Sequence, residues 1–148
     1  MFAAAALVVT LSACTPSPIE DPLPHLVAPF AGQAPFWVVA QTHDRWYGPD
    51  KPVKTLFAFS RIVDSEVRVR GRRLDARGVM MFRDGDDPPV TEVTYDLGRW
   101  GVRPGGATDE EMQRWSFYMT GAIVPAPGCW AFEASHAGSN YLVVLEIK

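Results

Sequence analysis

From Pro35 onward, clusters of Gly, Pro, Asp and Asn cut the chain into short runs of strand-forming residues. The clusters are Gly48-Pro49-Asp50, Asp84 to Pro89, Gly98 to Gly106, Pro125-Ala126-Pro127-Gly128 and Ala137 to Asn140. Such residues take the tight-turn conformations that helices and strand interiors avoid. The runs between them predict eight strands: Phe36 to Ala40, Lys54 to Ser60, Glu66 to Arg73, Gly78 to Arg83, Val90 to Leu97, Trp115 to Val124, Cys129 to His136 and Tyr141 to Ile147. In Glu66 to Arg73, Val67 and Val69 alternate with Arg68 and Arg70, as a strand with one buried face requires. Thr108 to Arg114 alone reads as a helix, with Thr108 as cap and Glu111 three residues on. Many short strands with frequent turns predict an all-β, immunoglobulin-like antiparallel sandwich, with a small β-barrel as the alternative. No internal repeat is visible.

The first residues have a different character. Phe2 to Val9 is an uncharged apolar run, followed by Thr10 and Leu11-Ser12-Ala13-Cys14. It is too short to cross a bilayer, which takes about 20 apolar residues, and has the length of a secretory signal core. An aliphatic residue, two small residues and a cysteine resemble the lipobox of bacterial lipoproteins. That resemblance implies a lipid on Cys14, cleavage before it, and export to the cell membrane or outer membrane. No Lys or Arg precedes the run, which departs from the pattern. An ordinary signal cut near Ala13 is the alternative. The expected organisation is a signal peptide at 1–13, a tether at 14–35 and the sandwich domain at 36–148. The tether rests on six prolines between Thr15 and Pro35, a composition that favours an extended linker.

Composition narrows the partners. Hydrophobic residues make up 47% of the chain, enough for one core, and the net charge of −3 argues against a general nucleic-acid binder. The cysteines are Cys14 and Cys129 only, so a lipid on Cys14 would leave no internal disulfide and make Cys129 a buried thiol.

A second resemblance lies toward the carboxyl end. Val124-Pro125-Ala126-Pro127-Gly128-Cys129-Trp130, then a strand, a Gly turn and a last apolar strand, is similar to a family of uncharacterised bacterial secreted and lipoprotein domains with a Pro-x-Pro-Gly-Cys-Trp motif. Trp46-Tyr47-Gly48 and Gly71-Arg72-Arg73-Leu74-Asp75 fit the same family, while Ala131 departs from the acidic residue common after the tryptophan. The resemblance implies an immunoglobulin-like fold outside the cytoplasm and no particular chemistry.

Residues able to carry chemistry are sparse. Cys129 with His136 or His43 would make a nucleophile and base only if a positive neighbour stabilised the thiolate, and nothing local does. A copper-type site using His and Met is the alternative function, but no methionine follows Met119, and adjacent Met80 and Met81 point to opposite strand faces. Asp84-Gly85-Asp86-Asp87 lacks the spaced oxygen ligands and closing acid of a calcium loop and reads as an acidic turn. No catalytic residue, cofactor or metal ligand is therefore assigned. Two surfaces suit binding: the arginines Arg68, Arg70 and Arg72, facing an anionic envelope polymer or protein, and the loop pair Trp46 and Tyr47. The expected function is a membrane-anchored, non-catalytic binding or structural domain of the cell envelope.

Overall fold

The computed structural model describes residues 14–20, 22–23, 25–26, 29–39, 51–61, 65–98 and 101–148. Nine strands and one helix lie among them: β1 (Phe30–Gln33), β2 (Phe36–Val39), β3 (Val53–Ser60), β4 (Glu66–Arg73), β5 (Met81–Arg83), β6 (Glu92–Asp96), α1 (Asp109–Arg114), β7 (Trp115–Ile123), β8 (Gly128–His136) and β9 (Ser139–Ile147). They form two antiparallel sheets, ordered β1-β2-β3-β7-β5 and β6-β4-β8-β9. The sheets do not close into a barrel, and the fold is a β-sandwich.

Alternation along each strand explains how the sheets pack, since successive side chains point to opposite faces. Phe57 and Phe59 of β3, Phe36 and Val38 of β2, and Val67 and Val69 of β4 belong to the core between the sheets. Phe57 sits at its centre, with ring centroids 5.7 Å from Phe132, 6.3 Å from Phe82 and 6.1 Å from Tyr95. Packing from both sheets onto one aromatic group supplies the apolar burial that stabilises a domain of this size.

The other face of the five-stranded sheet is apolar too. Trp37, Val39, Ala58 and Phe117 project outward and form a second core with Leu23, Leu26 and Met112. The helix exists to cover this face. Thr108 accepts from the Glu111 backbone N–H, and the Glu111 carboxylate accepts from the Thr108 N–H, a complete capping box. Asp109, Glu110 and Glu111 place negative charge in the first turn, where the helix dipole favours it. Met112 is the residue that α1 buries.

Residues 14–35, expected as a tether, differ from that expectation. Phe30 and Ala31 are buried in β1, paired through Gly32↔Trp37 and Gln33↔Phe36 with β2. Gly32, at φ +128°, has the Phe36 carbonyl 2.6 Å from where a Cβ would stand, so no other residue fits without displacement. Further back, Ser17 both donates to the Val144 carbonyl (2.8 Å) and, through its hydroxyl, accepts from the Val144 amide (2.9 Å). Ile19 bridges Ala31, and the Gly32 amide donates to Pro18. Residues 14–19 thus run as a strap from the β9 edge of one sheet to the β1 edge of the other. Exposed edges invite pairing with other chains, and the strap occupies part of both. On the opposite side, Val79 bridges Arg72 while Phe82 exchanges both backbone hydrogen bonds with Val90.

Candidate functional site

Cys14 begins the strap and its sulfur is bonded to Cys129, with 5.4 Å between the Cα atoms. This corrects the expectation of a chain without an internal disulfide: Cys129 is not a thiol. The bond packs on Ala131 and Val144, on the outer face of the four-stranded sheet. The strap makes the pairing possible, because the two hydrogen bonds at Ser17 hold the chain three residues from Cys14 against β9. Proline content concealed this, since extended backbone suits a strap as well as a tether.

Two of the three segments that carry the second resemblance, Gly71 to Asp75 and Val124 to Trp130, meet in space. Arg73 lies opposite Trp130 across the β4–β8 ladder, and the Leu74 amide donates to the Cys129 carbonyl at 2.7 Å. The Arg73 guanidinium pairs with Asp75 at 2.6 Å, and its central carbon stands 6.0 Å from the Trp130 ring centroid. Arg73, through that hydrogen bond, holds the Asp75 carboxyl below the ordinary aspartate range. Trp130 is fully buried, and its indole N–H donates to the Ala126 carbonyl at 2.9 Å. Gly128 passes so close beneath the ion pair that a Cβ would lie 2.7 Å from the guanidinium, at φ +146°. Gly128, Cys129 and Trp130 of the motif therefore each have a structural reason.

The predicted arginine face exists, but it is not a basic patch. Arg68, Arg70 and Arg72 all project outward from β4. Arg70 and Arg72 converge on Glu133 of β8, at 2.9 and 3.3 Å, and Arg68 pairs with Glu66 at 3.3 Å. Glu92 lies opposite Arg70 across the β4–β6 ladder, and Asp96 opposite Glu66. Three arginines thus stand among four carboxylates. Glu133 is only 7% exposed, and the Arg70 hydrogen bond holds its carboxyl below the ordinary glutamate range, with Arg72 adding and burial opposing. Carboxylates from the neighbouring strands, not visible in the local pattern of β4, make this a charge ladder.

The remaining candidates are not brought together. Cys129 and His136 lie at opposite ends of β8, roughly 23 Å apart at about 3.3 Å per residue. His136 stands 3.2 Å from the Ser65 hydroxyl and the Glu66 carbonyl. Met80 is buried in the core, and Asp84 to Asp87 form an exposed turn closed by the Asp87 amide on the Asp84 carbonyl. Trp46, Tyr47 and His43, like the signal-like residues 1–13, lie outside the described residues. No protein-family model, curated protein or solved structure matches this chain.

A cleft that no local pattern announces lies beside α1. It has a volume of about 580 Å³ and is bounded by the N-terminal segment, the end of β3 and the helix. Trp115 lines it, held by an edge-on contact with Trp37 at 4.7 Å between centroids. Leu23 and Met112, which bring the segment and the helix together, are the residues whose apolar character signals this second layer.

Proposed function

We propose that this chain is exported by a bacterium and serves in the cell envelope as a non-catalytic binding or structural β-sandwich. Cys14 carries the reading: it closes a signal-like apolar run, and its sulfur is joined to Cys129 across 115 residues. Structural disulfides persist in oxidising compartments and are rare in the cytosol. The non-catalytic part rests on two positive facts. In the disulfide state the candidate nucleophile, Cys129, is consumed, and in either state of Cys14 the candidate base His136 is stationed at the far end of its strand.

A second reading concerns attachment. Leu11-Ser12-Ala13-Cys14 supports a lipid thioether on Cys14 that would hold the domain at the membrane. One sulfur serves either the thioether or the disulfide, so the two are alternative states of Cys14, and both require export. Fractionating cells that express the whole chain, and determining the mass of its N-terminal peptide, tests export and attachment together. Envelope material beginning at Cys14 supports the proposal. A cytosolic chain retaining residues 1–13 removes it.

A further inference from the structure

A second groove, whose lining includes no residue of α1, crosses the outer face of the five-stranded sheet. Lys54 of β3 and Arg83 of β5 each lie opposite Gly121 of β7. Directly opposite residues share a sheet face, so two cationic side chains flank a glycine, about 10 Å apart at their Cα atoms. Their strand neighbours Thr55 and Phe82 are buried, which turns Lys54 and Arg83 outward. Glycine is required between them, because a Cβ there would stand 2.7 Å from the Pro52 Cβ and 2.9 Å from the Arg83 carbonyl. The groove along this row has a volume of about 490 Å³. Small-ligand sites span about 300–1,000 Å³.

Arg83 is the residue that calls for a ligand. Its Nε is buried without a hydrogen-bond partner, and among the described residues neither Arg83 nor Lys54 makes an ion pair. Elsewhere the fold pairs its arginines: Arg68, Arg70, Arg72, Arg73, Arg103 and Arg114 each meet a carboxylate. A buried donor without an acceptor costs stability, so such groups are few in a folded chain. Asp84 also lines the groove but does not pair with Arg83, and two cations against one carboxylate leave it net positive. The remaining wall is apolar. Met119 and Val102, 40% and 38% exposed, are large hydrophobic side chains left in solvent on the same groove.

We infer that this groove binds a small amphiphilic anion, its carboxylate or phosphate head between Lys54 and Arg83 and its short apolar part against Met119 and Val102. An oxyanion supplies the acceptor that the Arg83 Nε lacks, and the planar guanidinium fork matches two oxygens of one head group. Lys54 adds a point charge from the other side of Gly121. A neutral ligand would leave both charges uncompensated, and a bare inorganic anion would leave Met119 and Val102 in water. The site goes beyond the envelope reading and does not depend on it.

Titration calorimetry of the full chain, in the form that expressing cells deliver, tests this with octanoate and octyl phosphate. Octanol and inorganic phosphate serve as partial probes. Binding of either octyl anion is expected, with both partial probes about tenfold weaker or more. Arg83→Met should weaken binding about tenfold or more while keeping or raising the melting temperature, because it removes an unpartnered buried donor. An arginine with only a structural role would instead lower that temperature on removal. Lys54→Met should weaken binding about threefold, and it decides the matter if Arg83→Met fails to fold. Arg77→Met, which removes the same charge at an exposed position outside the groove, should change nothing. No binding of either octyl anion, equal binding of octanol, or wild-type affinity in the folded groove variants overturns the inference. So does capture on phosphatidylglycerol vesicles without binding of either soluble anion, which would make this face a membrane surface. A cytosolic chain that binds the octyl anions would remove the envelope reading and leave the groove assigned.

Discussion

Arg73 is clamped between its own segment and the carboxyl-terminal motif: its guanidinium pairs with Asp75 at 2.6 Å and its central carbon lies 6.0 Å from the Trp130 ring centroid. Trp130 is the larger partner energetically, because it is fully buried while Arg73 keeps some exposure. Trp130→Ala should lower stability by about 3–5 kcal/mol, a large share of the roughly 5–15 kcal/mol typical of a domain. Chemical denaturation would measure it, and a midpoint near the wild-type value would contradict the packing account. Arg73→Ala should lose about 1 kcal/mol, the scale of a partly exposed ion pair and cation–π contact.

The charge ladder yields a non-additive prediction. Glu133 is buried enough that losing both partners would strand its charge, whereas losing one leaves the other. Arg70→Ala alone should cost about 1 kcal/mol, and Arg70→Ala with Arg72→Ala about 3 kcal/mol or more, because an unpaired buried charge is strongly destabilising. Strict additivity in a double-mutant cycle would show that Glu133 is served by solvent instead. Replacing Glu133 by leucine should be far milder than stranding it.

Acid should weaken the fold through the same groups. The carboxyls of Glu133 and Asp75 are both held below their ordinary values, by Arg70 and Arg73 respectively. A group with a depressed folded-state pKa stabilises above its unfolded value, about 4.3 for Glu and 3.9 for Asp. That contribution is lost as pH falls from there through the folded values. Melting temperature should therefore be nearly flat above about pH 5 and drop below about pH 4, and Glu133→Gln should flatten the drop. An identical acid limb in the variant would remove Glu133 from this role.

Much of the sandwich was legible because its strands alternate or run apolar between turn clusters. β3, β4, β7, β8 and β9 fall where Leu56 to Phe59, Val67 and Val69, Phe117, Trp130 and Val143 to Leu145 announce them. β1 was not, because its four residues lie between Pro29 and Pro35 and contain Gly32, so nothing local separates a short edge strand from a linker. Phe30 is recognisable as core only once Trp37 and Phe117 are seen to project from the outer sheet face. The arginines of β4 were placed on the correct face. Their neutralisation depends on Glu133 and Glu92, which reach them only through strand pairing. Cys14 was read from its local sequence, and its nearness to Cys129 is a property of the strap alone.

The strap supplies a local test of the disulfide. Cross-linking ends separated by 115 residues should stabilise the folded chain by about 2–5 kcal/mol through restriction of the unfolded state. Reduction, or Cys129→Ser, should lower the melting point and speed hydrogen exchange at the Val144 amide, which the Ser17 hydroxyl protects. Ser17→Ala should speed that exchange with the disulfide intact. An amide that remains slow in both variants would mean that the strap does not guard the β9 edge.

Export through processing at Cys14 is the claim on which the functional account depends, and intact-mass analysis of the N-terminal peptide tests it most directly. Cells expressing the whole chain are alkylated before lysis, fractionated, and the protein is recovered from each fraction. Envelope protein is expected to begin at Cys14, its sulfur either bonded to the Cys129 peptide or carrying lipid, and in both cases closed to the alkylating reagent. A cytosolic protein that keeps residues 1–13 and carries an alkylated Cys14 would contradict the claim.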